Sequence, residues 1–517
     1  MLTILKCINK ETLRYSLLVL FLIGAGGLYA QELYVASGGS INVSAGEALY
    51  VNNNLVIHAS GSLTVNSSSS TSGSLLVAGT STGDIVYERN IADSNWHLVA
   101  APVSNQSINS FATGSNAINT NGSNYAIATY NNSNSAGSRW EYYTTTTAQS
   151  AGNFTSAKGY STNRTAAGNF TFEGEMATTD VSISLSTISG THHWACIGNP
   201  YPSFLKGTDD SEINSVLKEN FSLLDDSYKA LYLWDGSAYK AINYASGVTY
   251  LAPGQSFMVK AQSANESFNF SESDQSHQSG ATTFYRALAT PTIDLFVNNG
   301  DTEKTTRLKY YETSTLGLDP GYDAAAFEDG VPNFSLNTHL VADSEGLNFT
   351  LQCLPINSYE TTIVPISVNA EAGATLSFSS LQSGDVPAEL HIYLNDLVNN
   401  QITDLKIENY EITLPNTLQG IGQFYLHTTA QELTITTQEL TDVSIYFVTN
   451  NTLFIKGIQG NKVASIKLYN TLGQVVFTQN FSAAPTIRLA LPNIPTGIYI
   501  ADLQTHFGSH SQKIISN

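Results

Sequence analysis

From residue 31 onward the chain alternates apolar and polar positions in short runs. Ser40-Ile41-Asn42-Val43, Ala48-Leu49-Tyr50-Val51, Leu55-Val56-Ile57, Ser62-Leu63-Thr64-Val65 and Ser74-Leu75-Leu76-Val77 are separated by Gly, Asn and Ser. A period of two broken by turn formers predicts strands, because successive side chains on a strand face opposite ways. The runs recur at short intervals, so residues 31–95 are expected to form a small β-solenoid or stacked hairpins, with a plain meander as the alternative.

The next stretch repeats itself. One offset, 98 residues, separates Trp96 from Trp194, Pro102 from Pro200 and Phe170-Thr171-Phe172 from Phe268-Asn269-Phe270. Ala157-Lys158-Gly159-Tyr160 also resembles Ala252-Pro253-Gly254-Gln255, with a small gap. Two related β-modules, 96–193 and 194–290, are the simplest reading. A short helix is expected near 211–218, with Ser211 as its N-cap. Residues 291–437 again alternate, at Thr292–Val297, Thr306–Tyr311, Thr362–Val368, Glu389–Leu394 and Gln423–His427, which predicts a β-sandwich. Pro365 has no N–H to donate and is expected at a strand edge or bulge. Thr428 to Glu439 is polar and reads as a linker. Residues 438–517 hold seven short strands with frequent turns, the pattern of an Ig-like sandwich. The fold class is therefore all-β and multidomain.

The first 30 residues differ from everything after them. Lys6, Lys10 and Arg14 precede the apolar run Leu17–Ile23, and Leu28-Tyr29-Ala30 ends on a small residue before Gln31. This is the architecture of a cleaved signal peptide, and the apolar run is short for a bilayer span of about 20 residues. No other stretch approaches transmembrane length, so the mature chain is expected to carry no transmembrane segment.

Composition narrows the functions. Charged residues are only 12% of the chain, so its surface is neutral and polar rather than laced with ion pairs. The formal net charge of −20 repels phosphate backbones and anionic membranes, which argues against nucleic acid as a partner. Beyond Cys7 in the leader, Cys196 and Cys353 are too few for a disulfide framework and read as buried free thiols.

The C-terminal stretches Leu468-Tyr469-Asn470-Thr471-Leu472-Gly473-Gln474-Val475-Val476, Gly497-Ile498-Tyr499 and Lys513-Ile514-Ile515 resemble, in order and spacing, the sorting domain of the type IX (Por) secretion system of Bacteroidetes. The resemblance implies that Gly473, Gln474, Gly497, Tyr499 and Lys513 belong to the sorting signal. It also implies that the type IX translocon and its sorting peptidase are partners, and that the product passes through the periplasm to the medium or to the outer-membrane surface. The stretches Ile197–Ser203, Leu251–Phe257 and Gly317–Ala324 resemble uncharacterised, adhesin-like cargo of the same system, and imply no mechanism.

Chemistry is sparse. No phosphate loop, zinc motif or nucleophile elbow is present, and no catalytic residue, cofactor or metal is nominated. His192-His193 would point to opposite faces of a strand and would not chelate one ion. Asp319, Asp323, Glu328 and Asp329 form the best acidic cluster. Its oxygen ligands could take calcium, with a solvated turn as the alternative. Tyr142, Tyr143, Trp234 and Tyr239 are candidates to stack on a sugar or a partner surface, against the alternative that they fill cores. The expected function is a non-catalytic, adhesin-like binding protein, with a glycan or surface protein as its partner. The alternatives are an extracellular polysaccharide or peptide hydrolase with its site in 96–437, and a structural surface-layer component.

Overall fold

The computed structural model describes residues 28–30, 32–185, 192–209, 215–277, 290–430, 443–449, 451–458, 463–470, 474–482, 484–492, 494–505 and 508–516. The leader up to residue 27, Ser211 and Gly473 lie outside them, as do residues 431–439 of the expected linker, whereas Thr428 and Thr429 end the strand Phe424–Thr429 and are not linker. The chain forms two compact units, one reaching Ala430 and one from Gln431 to the end.

The first unit opens with nine strands: β1 (Leu28–Ala30), β2 (Leu33–Val35), β3 (Ser40–Val43), β4 (Ala48–Val51), β5 (Leu55–Ile57), β6 (Ser62–Asn66), β7 (Ser74–Val77), β8 (Ser81–Thr82) and β9 (Ile85–Ile91). Each pairs in parallel with the strand three places on, giving the ladders β1–β4–β7, β2–β5–β8 and β3–β6–β9. Like residues therefore stack. Leu49 lies on Leu75, Leu33 on Leu55, and Val43 on Val65 on Tyr87, with Val43, Val65 and Tyr87 all buried. Gly39, Gly61 and Gly83 recur at equal spacing in the turns. A Cβ on Gly83 would come within 2.4 Å of the Ile57 carbonyl oxygen, and its φ of +90° favours glycine in any case. Strand β1 lies just before the expected cleavage point at Ala30, so cleavage there would remove one strand of the first ladder.

Two antiparallel sheets follow, with matching strand orders. The first runs His97–Val99, Tyr160–Thr162, Asn124–Tyr130, Trp140–Thr144; the second runs Trp194–Gly198, Ser256–Lys260, Leu231–Trp234, Tyr239–Ile242. A second antiparallel pair accompanies each. Ile85–Ile91 binds Gly168–Gly174, and Val181–Leu185 binds Glu266–Phe270. Phe170, Phe172, Phe268 and Phe270, the residues that carry the sequence offset, are all fully buried.

The two sheets also touch reciprocally. Val99 bridges to Gln255, and Ile197 to Lys158. The Ala100 N–H donates to the Gly254 carbonyl and the Gly198 N–H to the Ala157 carbonyl, both at 2.9 Å. Each contact is its partner's counterpart, as in an isologous dimer interface. The backbones approach so closely that a Cβ on Gly198 would lie 2.8 Å from the Ala100 methyl group.

The helix in this region is one turn, Val216–Glu219, and its N-cap is Ser215, whose hydroxyl accepts the Lys218 N–H. Val216 and Leu217 are buried beneath it, so packing sets its position.

Residues 291–430 make one continuous sheet of eleven strands. A single residue pair, Thr338 with Phe349, joins a half of five strands to a half of six. Ile293, Leu295, Phe378, Ile366, Ile392 and Phe424 fill one core from both halves. Pro365 departs from expectation, because it sits in Ile363–Asn369, an interior strand. Its carbonyl accepts from the His339 N–H, beyond the last pair of the neighbouring strand Ser335–Thr338. Its missing N–H points the same way, so the reciprocal bond to His339 cannot form and that ladder ends here.

The second unit packs a sheet of Ser444–Thr449, Thr452–Lys456 and Thr486–Ala490 with a sheet of Val475–Ser482, Val463–Tyr469, Gly497–Thr505 and Gly508–Ser516. Pairing is antiparallel throughout. Ile445, Leu453, Ile466, Leu468, Ala501 and Leu503 form its core. The protein is all-β and multidomain. Among the described residues no helix is long and apolar enough to cross a membrane.

Candidate functional site

The first of the two matching sheets presents an open groove of about 310 Å³. Strand pairing places Tyr142 at its wall. Leu98 lies opposite Ser161, Ser161 opposite Ala128, and Ala128 opposite Tyr142, so these four side chains share one face. Trp96, just before the first strand, closes the end of that row. Its ring meets Tyr142 edge-on, with centroids 5.7 Å apart at 65°. Both rings are open to solvent, Trp96 at 37% and Tyr142 at 44%.

Polar groups without charge make the rest: Asn119, Thr120, Asn121, Asn124 and Asn163, with Tyr125 and Ala126 beneath. Asn121 and Asn124 flank the tight turn Gly122-Ser123, where Gly122 supplies a φ of +61°. Asn163 is buried and fixed. Its amide donates to the Ser94 carbonyl, and its oxygen accepts from Asn119 at 3.0 Å. Asn121, Asn124 and Thr120 stay exposed and face the opening. Trp234 braces the site from the second sheet, its indole N–H donating to the Trp96 carbonyl at 2.9 Å.

The four aromatic candidates thus separate. Tyr142 lines the groove. Tyr143 packs half-buried against the large core of the first module, and burial pushes its phenol up to about 12. Trp234 and Tyr239 lie 5.0 Å apart, and Tyr239 packs 4.3 Å from Phe327, so these rings are engaged within the chain. Sequence reasoning passed over Trp96. It entered only as an anchor of the repeat, and the fold alone shows that its ring is exposed.

The acidic cluster is held by its own bonds. Asp323 is fully buried and accepts the N–H groups of Cys353 at 2.6 Å and Asp319 at 2.7 Å. Burial raises its carboxyl to about 7 despite those bonds. Asp319 accepts from Thr315, Glu328 from Asn348, and Asp329 pairs with Arg139. Among the described residues no group of three or more His, Cys, Asp or Glu is placed to hold a metal ion. His192 bonds the Tyr130 hydroxyl at 2.7 Å. Burial lowers its imidazole to about 4. Cys196 and Cys353 are free, buried and members of one apolar cluster, where burial holds both thiols above their ordinary range.

In the second unit, Gln474 is tied to Asn470. Its N–H bonds the Asn470 side chain and its carbonyl accepts the Asn470 N–H, both at 3.0 Å. Tyr499 is buried, with its hydroxyl on the Pro495 carbonyl at 2.8 Å. Gly497 opens the strand that pairs with the chain end, and Lys513 is exposed opposite Ile500. Residues 448–517 match the secretion system C-terminal sorting domain.

An all-β, multidomain chain ending in this domain is an exported cargo of the type IX secretion system of Bacteroidetes, delivered through the periplasm to the cell surface or the medium. Its translocon and sorting peptidase are partners of the chain. Residues 22–421 match the family described as a domain of unknown function (DUF8693), and the chain belongs to that family. No curated protein matches. Among solved structures, dimeric latent PorU from Porphyromonas gingivalis is similar at 9% identity over 48% of this chain and 31% of that one, with a TM-score of 0.13.

Proposed function

We propose that the protein is a non-catalytic binding protein of the cell surface or medium, and that its groove at Trp96 and Tyr142 takes a glycan. The observation that carries this is a pair of exposed aromatic rings set in a rim of amides and hydroxyls. Sugars offer apolar C–H faces to rings and hydroxyls to amides. No lining residue is a carboxylate, a histidine or a cysteine, so the groove offers binding rather than acid–base chemistry. The three parallel ladders support a short β-solenoid as the N-terminal segment. The matched sheets support a tandem module, and the three-plus-four sheets of the second unit support an Ig-like sorting sandwich.

The test is a glycan array probed with the full mature chain, followed by titration of the hits against Trp96→Ala and Tyr142→Ala. Hits that weaken about tenfold or more in both variants support the reading, since that loss equals about 1.4 kcal/mol of stacking. Hits indifferent to both substitutions, or turnover of a bound glycan, refute it.

A further inference from the structure

The two matching sheets carry equivalent tryptophans with opposite fates. Trp96 lies 98 residues before Trp194, and the surrounding strands pair in the same order. Trp194 is only 3% exposed. Tyr228, Tyr232 and Phe327 cover it, and the Phe327 ring stands 4.6 Å away, nearly perpendicular. Phe327 comes from the following region of the chain, not from the module itself. Among the described residues Trp96 has no such cover, and the space over it is the groove.

The two environments differ in a way that specifies the cover. Over Trp194 the neighbours are aromatic and apolar, and a phenyl ring completes them. Around Trp96 the ring of Tyr142 is joined by polar neighbours, Thr120, Asn121, Asn124 and the fixed Asn163. A ring seated there needs an apolar face for the tryptophan and a polar edge for the amides. A pyranose has both.

Charge narrows the class further. Every lining residue is neutral, and the chain carries a formal net charge of −20. A carboxylate or sulfate on the ligand would lose water, meet no cation and be repelled by the surrounding field. We infer that the groove selects uncharged pyranosides, one ring lying on Trp96 in the place that Phe327 takes on Trp194. This rests on the glycan-binding reading above and adds the selection by charge.

The experiment uses the full mature chain with neutral hexasaccharides (cello-, manno-, xylo- and chito-) and with hexagalacturonate and hexaguluronate, titrated by calorimetry. At least one neutral probe should bind about tenfold or more tighter than either uronate. Trp96→Ala should abolish that binding. Ser123→Lys puts a cation on the exposed turn beside the groove without altering a lining residue, and it should strengthen uronate binding severalfold while leaving the neutral probe within about threefold. Uronates binding the unaltered chain as tightly as neutral probes, in a Trp96-dependent way, would overturn the charge selection and leave glycan binding intact. A panel that binds nothing, or binds without regard to Trp96, would remove the glycan reading and this inference together.

Discussion

Asp274 is a direct test of buried charge, because its carboxyl makes no hydrogen bond among the described residues. It closes a short turn, Glu272–Asp274, is 3% exposed, and neither of its oxygens finds a hydrogen bond. Burial, reinforced by the nearby Glu219 carboxylate, raises its pKa from 3.8 to about 7. An acid with a raised folded-state pKa keeps a proton that the unfolded chain has given up. Below about pH 3.8 both states are protonated and the group costs nothing; stability then falls as pH rises, until the folded form also ionises near 7. A shift of about three units corresponds to about 4 kcal/mol lost across that window. Asp274→Asn removes the ionisation at nearly constant volume, although its amide stays buried. The assay is urea unfolding, followed by tryptophan fluorescence, of both proteins at about pH 4.5 and about pH 8.5. The variant's stability relative to wild type should rise by about 3–4 kcal/mol between the two conditions. Asp323 titrates in the same range in both proteins and cancels from the difference. Parallel pH profiles for the two proteins would refute the argument, since they would mean that the carboxyl finds solvation in the folded state.

Three further outcomes follow from packing, bonding and sorting. Gly198→Ala puts a methyl group 2.4 Å from the Ser256 hydroxyl and 2.8 Å from both the Gln255 carbonyl and the Ala100 methyl. It should cost about 1–3 kcal/mol in thermal or urea unfolding, and no measurable loss would mean the two modules do not pack this closely. Asp396 accepts from Val398 and Asn399 backbone N–H groups and from the Asn399, Tyr410 and Gln423 side chains. Burial pushes its carboxyl up, but these bonds outweigh it and the net shift is downward. Its contribution is present above about pH 4 and fades as pH falls, so Asp396→Ala should destabilise by about 3 kcal/mol at neutral pH and by less in acid. Ending the chain at Ala430 removes the second unit whole. The product should accumulate in the periplasm on fractionation, and undiminished release to the medium would contradict the sorting role.

What the sequence discloses here is what repeats, and what it hides is what crosses between repeats. Alternation located β3 to β7 and five strands beyond residue 291, because a half-buried strand must alternate. The offset of Trp, Pro and the paired phenylalanines pointed to two like sheets, and the prolines and phenylalanines are buried in both. Gly39, Gly61 and Gly83 were also legible as a period and were missed, since the intervals between apolar runs vary while the turns do not. The helix was placed too early. A single turn has too little periodicity to fix its register, and Ser215 and Ser211 are equally plausible caps by composition. Pro365 was misplaced because a proline rule read from one strand does not know where the neighbouring strand stops. The groove was invisible for a related reason. Trp96 and Trp194 look alike along the chain, and the property that distinguishes them is a phenylalanine more than 100 residues beyond the second. A binding surface made by leaving one of two equivalent positions uncovered has no local signature, so it can be read only once the region that covers the other is in place.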